Sequence, residues 1–141
     1  MRALFVMLAI GCASTPPLRP IGLEHCSSCS WAHIVRLTEN AIDTYDRGDF
    51  DAATERFIDA NARGLSARGF FNICLSRYRA DERAPDPAKL DLACRACVEA
   101  YTFEAAEVAK LRPHLQRLLA MIDATAKRRS VALTCDRSKA R

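Results

Sequence analysis

The spacing of apolar side chains between residues 31 and 60 leaves little choice of fold class. Trp31, Ile34, Val35, Thr38, Ala41, Ile42 and Tyr45 recur at i, i+3, i+4, i+7, i+10, i+11 and i+14. That is one face of a helix about four turns long. Gly48 follows, suited to a left-handed C-terminal position, and Asp49 can cap the next helix through its carboxylate. The second helix gathers Phe50, Ala53, Phe57 and Ala60 on one face, and Gly64 stops it.

The pattern continues downstream. A third helix is expected from near Ser66, carrying Phe70, Phe71, Ile73, Cys74, Leu75 and Tyr78, and fading in the polar stretch RADERAPDP. Asp86 followed by Pro87 is a start signal: a capping carboxylate, then proline at the first helical position. The fourth helix turns Leu90, Ala93, Cys94, Cys97, Val98 and Tyr101 inward. Thr102 is expected to cap a fifth from Phe103, with Glu104 and Glu107 favourably placed in its first two turns. Pro113 should kink or split that helix, while Leu115, Leu118, Leu119 and Ile122 carry its apolar face onward. No stretch alternates with period two over strand length. The fold class is all-α. With 141 residues, 50% of them hydrophobic and 27% charged, there is material for one packed domain and no more.

The first residues, MRALFVMLAIGC, follow a different logic. Arg2 precedes a nine-residue apolar run, Ala3 to Gly11. That is too short to span a bilayer, which takes about 20 residues. Its order is that of a secretory signal: positive start, apolar middle, small residue at the cut. LAIGC resembles the lipobox of bacterial lipoproteins, with Ala9 where leucine is usual. The resemblance implies cleavage before Cys12, lipid on its thiol, and attachment to a membrane. ASTPPLRP then reads as a Pro-rich tether. The expected organisation is a signal peptide at 1–11, the lipidated cysteine and tether at 12–29, a helical domain at 30–128 and a basic tail at 129–141. Ala13 after Cys12, with no Asp there, implies the outer membrane, facing the periplasm, in the sorting scheme that this resembles. From Lys127 to the end the chain carries Lys127, Arg128, Arg129, Arg137, Lys139 and Arg141 against Asp136. It reads as a solvated, frayed helix end, or as a segment attracted to anionic polymer or lipid. It has no aromatic for base stacking, so no nucleic-acid partner is expected.

Small and aromatic residues alternate through AIDTYDRGDFDAATERFIDA, residues 41 to 60. Leu37, Ala41, Tyr45, Phe50, Ala53, Phe57 and Ala60, with the RGDF turn, resemble a tetratricopeptide repeat, a 34-residue helix–turn–helix unit. In that family small residues stand where helices cross most closely. FFNICLSRY and DLACRACVEA look like a second, weaker copy, with Cys74, Ala93, Cys97 and Ala100 at the small positions. The resemblance covers about residues 34 to 100. It implies about two antiparallel helical hairpins and a C-terminal capping helix. It also implies a ligand face along the first helix of each unit: Val35, Thr38, Ile42, Tyr45 and Asp46, then Arg68, Phe71, Leu75, Tyr78 and Arg79. The segment before Trp31, or the fifth helix, can cover that face instead, making Tyr45 and Phe71 plain core.

Seven cysteines occur, at 12, 26, 29, 74, 94, 97 and 135. With Cys12 lipidated, six remain, and an exported chain with an even number is read as disulfide-bonded. Cys94 and Cys97 share a helix face, and Cys74 should face it, so Cys74 is expected to bond Cys94 or Cys97. Cys26, Cys29 and Cys135 have no assigned partner. The alternative is zinc: HCSSC and CRAC are two CxxC pairs. Their spacing fits no finger or ribbon, and no metal or other cofactor is expected. Haem attachment would need His after the second cysteine, where Ser30 and Val98 stand. No phosphate loop, nucleophile elbow or HExxH occurs, so no catalytic residue or small-molecule substrate is expected. The expectation is a non-catalytic, lipid-anchored adaptor that binds an unidentified envelope protein or peptide. The alternative is a disulfide-stapled accessory lipoprotein without a groove.

Overall fold

The computed structural model describes residues 15–24 and 30–140, and among these every regular element is a helix. The five α-helices are α1 (Ala32–Asp46), α2 (Phe50–Arg63), α3 (Ala67–Arg83), α4 (Pro87–Ala100) and α5 (Ala105–Arg129); a short 3-10 turn spans Arg137–Ala140. Each α-helix packs on the next, and α3 also touches α5. The ends show the directions. Glu107 near the start of α5 bonds the start of α3, and Arg129 at the end of α5 bonds Asp81 near the end of α3. Arg83, at the end of α3, reaches Gly48 just past the end of α1. So α1, α3 and α5 run parallel, with α2 and α4 returning between them.

Local sequence sets the boundaries. Gly48 has φ +80°, the left-handed turn that ends α1. Asp49 accepts the Ala52 N–H at 3.2 Å, Ser66 the Gly69 N–H at 2.9 Å and Asp86 the Ala88 N–H at 2.9 Å, each capping its helix. Ala41, Ala53, Ala60, Cys74, Ala93, Cys97 and Ala100 are each 3% exposed or less. These are the small residues expected at the helix crossings. Gly69 is another close approach, because a Cβ there would stand 2.0 Å from Asn61 Oδ1.

Three expectations change. α5 runs unbroken from Ala105 to Arg129 with Pro113 inside it, so it is not split there. It begins at Glu104 rather than Thr102, whose hydroxyl donates instead to the Glu99 carbonyl at 2.7 Å. The C-terminal segment is not frayed. Ser130 takes a left-handed conformation (φ 55°), and the chain folds back with Val131, Leu133 and Cys135 packed against the core. Thr134 donates its N–H to Asp91 at 2.6 Å, and Arg137 pairs with Asp123. Its cations are thus partly spent inside the molecule.

Candidate functional site

The expected ligand face is that of α1 and α3, and the protein's own residues 15–24 lie across it and reach α5. This N-terminal strap has no helix or strand of its own. Pro16, Pro17 and Pro20 lack amide hydrogens, so it cannot extend a hydrogen-bonded ladder at those positions. Side chains of the helices hold it instead. Ile21 donates its N–H to Asn72 Oδ1 at 2.8 Å, and its carbonyl accepts from Asn72 Nδ2 at 2.9 Å. Arg68 donates to the Gly22 carbonyl at 3.0 Å, Arg117 to the Pro16 carbonyl at 2.7 Å, and Arg19 pairs with Asp46 at 2.6 Å. Leu18 is 5% exposed and belongs to the main core cluster. Gly22 lies by Arg68 and Pro16 by Arg117, so the strap runs antiparallel to all three helices.

Of the ten candidate groove residues, six are interior. Val35, Thr38, Tyr45, Phe71, Leu75 and Tyr78 are all buried. Ile42, Arg68 and Arg79 are half-buried, and Asp46 is exposed and paired with Arg19. The face is therefore not an open groove. Tyr45 packs edge-on to Phe50, with ring centroids 5.0 Å apart, and the Tyr78 hydroxyl meets Thr125 Oγ1 at 3.3 Å. Burial raises both phenol pKa values, with Arg79 beside Tyr45 drawing that phenol partly back.

Sequence reasoning missed the residues that organise the face. Asn72 is 1% exposed, and one buried asparagine in a helix gives no hint of its partner. Glu107 was expected to serve its own helix. Its Oε1 instead accepts the Ala67 N–H at 2.8 Å and the Arg68 N–H at 3.4 Å, capping α3 from α5. Asp81 is wholly buried, bound by Arg129 at 2.6 Å and by the Asp86 N–H at 2.9 Å.

Two cysteine pairs stand at disulfide distance. Cys74 and Cys97 have Cα atoms 5.3 Å apart, one of the two pairings expected for Cys74. Cys94 pairs with Cys135, at 5.9 Å, and so ties the folded-back tail to α4. The CRAC cysteines thus serve two different bridges. Among the described residues no cluster of His, Cys, Asp and Glu is placed to hold a metal ion. Cys12, Cys26 and Cys29 lie outside the described residues. No described helix is long and apolar enough to cross a membrane.

Two clefts flank the strap. One, of about 330 Å³, opens between Ile21, Arg68 and the α5 residues Lys110, Leu111 and His114. The other, of about 340 Å³, lies between Leu23, Arg68 and Trp31. Arg68 and Glu107 line both. No family model, curated protein or solved structure matches the chain.

Proposed function

We propose that this is a non-catalytic, lipid-anchored accessory protein of the bacterial envelope. In this reading its repeat-like helical body is held close to the anchor by its own N-terminal strap. The observation that carries it is the strap itself. A freely jointed tether would leave Leu18 in water and the Ile21 backbone unclaimed, whereas both are engaged. The signal-like MRALFVMLAIGC supplies the anchor, at Cys12. The burial of the small residues, with each helix packed on the next, supports two tetratricopeptide-like hairpins, α1–α2 and α3–α4, with α5 as the cap. The paired cysteines suit an exported, oxidised protein. The outer membrane, on its periplasmic side, is the location this reading assigns.

A second reading, an adaptor for an envelope protein or peptide, draws on two exposed apolar side chains. Trp31 is 51% exposed and Leu65 66%, and aromatic side chains are enriched where partners bind. Metabolic labelling with a clickable fatty acid tests the anchor. Wild-type protein should carry label and sediment with membranes. Cys12→Ser should carry none and appear in the soluble fraction. A variant that stays with the membrane and keeps residues 1–11 would refute the lipoprotein reading.

A further inference from the structure

The tether is too short to let the helical body leave the bilayer. Three residues separate Cys12 from Pro16, and Pro16 is already held by Arg117. The four Cα-to-Cα steps reach at most about 14 Å. On the lipoprotein reading, on which this inference rests, the strap-bearing side lies at the headgroups of the leaflet that holds the anchor.

The surface beside the strap has matching chemistry. α5 carries no acidic residue between Val108 and Ile122; of its basic residues there, Lys110 and His114 line the cleft, while Arg112 stacks on Tyr101 and Arg117 is spent on the Pro16 carbonyl. Lys110 and His114 are exposed on the wall of the 330 Å³ cleft, opposite Arg68. Among the described residues, neither Arg68 nor Lys110 forms an ion pair. Glu107 lies in the lining, but its Oε1 faces the N–H groups of Ala67 and Arg68 and is committed to the start of α3. Ile21 and Leu111 give the cleft an apolar part. A cationic wall with an apolar part, on a face held within one short tether of a bilayer, suits an amphiphile whose charge is negative.

We infer that the cleft between the strap and α5 binds the phosphate headgroup of an anionic phospholipid in the anchoring leaflet. Arg68 and Lys110 meet the phosphate, His114 adds a ring N–H, and Ile21 and Leu111 take the first acyl carbons. The lipid anchor and the cleft then act together, fixing the orientation of the body as well as its attachment.

The test uses the full chain made lipid-free by Cys12→Ser, sedimented with vesicles of phosphatidylglycerol in phosphatidylcholine or of phosphatidylcholine alone. Binding is expected only with phosphatidylglycerol. Lys110→Glu should weaken it on the order of 25-fold, at about fivefold per charge for two charge units. Arg56→Glu makes the same charge change on α2, outside the cleft, and should weaken it far less. Melting temperatures of the two variants report on folding. Equal loss in both variants, equal binding to neutral vesicles, or no binding to either would overturn the inference. So would displacement by inorganic phosphate at matched ionic strength, which would mark a free-anion site. Labelling at Cys12 is read separately in cells, so an unlabelled chain that still binds phosphatidylglycerol removes the anchor and leaves the cleft.

Discussion

Asn72 holds Ile21 by both of its backbone polar groups, accepting the N–H at 2.8 Å and donating to the carbonyl at 2.9 Å. A helix side chain thus does for the strap what a neighbouring strand does in a sheet. The prolines prevent a continuous ladder, so the attachment concentrates at this residue, at Leu18 and at the arginines. Asn72→Ala leaves both Ile21 groups without their protein partner. It should cost about 1–3 kcal/mol in urea unfolding, the range for an unsatisfied buried polar group. Asn72→Asp keeps the acceptor but sets a buried carboxylate oxygen against the Ile21 carbonyl, and should cost at least as much at neutral pH. An Asn72→Ala protein as stable as wild type would mean that water replaces the clamp at no cost.

Asp81 and Arg129 form the second long-range tie, between the C-terminal ends of α3 and α5. The carboxylate is wholly buried, while the guanidinium is 31% exposed. Arg129→Ala strands a buried charge, which costs about 3–5 kcal/mol when both partners are interior. With the arginine partly solvated, about 2 kcal/mol is expected. Asp81→Asn, which keeps much of the shape and removes the charge, should be milder. Thermal unfolding of the two variants side by side tests that order.

The bridges should be visible by mass. Oxidised protein is expected to be lighter than reduced protein by about two hydrogens per bridge, with peptide maps linking Cys74 to Cys97 and Cys94 to Cys135. The loops they close span 23 and 41 residues. Each should therefore contribute about 3–4 kcal/mol by loop entropy. Cys135→Ser should release the tail and lower stability by that order. Stoichiometric zinc with every thiol titratable after chelation would contradict the pairing.

Asp91 gives the protein an acid-sensitive joint. Burial pushes its carboxyl pKa up, but the Thr134 N–H and hydroxyl, with Arg95, outweigh this and hold it below the usual range. A carboxyl depressed in the folded state stabilises above its unfolded pKa, about 3.9. That stabilisation disappears as pH falls from there through the folded value. Asp91→Asn should therefore be less stable than wild type at neutral pH, and the gap should close on acidification below about pH 4. A gap that does not change with pH would show that the charge on Asp91 is not what holds the tail.

Much of this fold was legible because helices announce themselves locally. The i, i+3, i+4 stripe of α1, the Gly48 turn and the caps at Asp49, Ser66 and Asp86 are each written within a few residues. The small side chains Ala41, Ala53 and Ala60, all on the apolar faces read from the sequence, are buried. What escaped was everything joined across long sequence gaps by single side chains. Leu18 lies among prolines in a segment without periodicity, so its burial had no local sign. Asn72, Glu107 and Asp81 are ordinary helix residues until their partners, 51, 40 and 48 residues away, come into place. Six of the ten groove positions are buried, and of the two covers the sequence allowed for that face, the segment before Trp31 is the one bonded to α3. Of the two outcomes expected at Pro113, a kink or a split, the split does not occur, because α5 continues through it.

Docking of residues 15–24 across α1, α3 and α5 can be followed by amide hydrogen exchange of the full chain. Seven of the ten strap residues carry an amide hydrogen, the other three being prolines. Ile21 is the telling one, because its N–H meets Asn72 within a half-buried contact. The Ile21 amide should be protected in the wild-type protein and should lose that protection in Asn72→Ala while the amides of α3 and α4 keep theirs. An Ile21 amide exchanging in the wild type at the rate of an unstructured peptide would contradict the account, leaving residues 15–24 a free tether and the α1–α3–α5 face open.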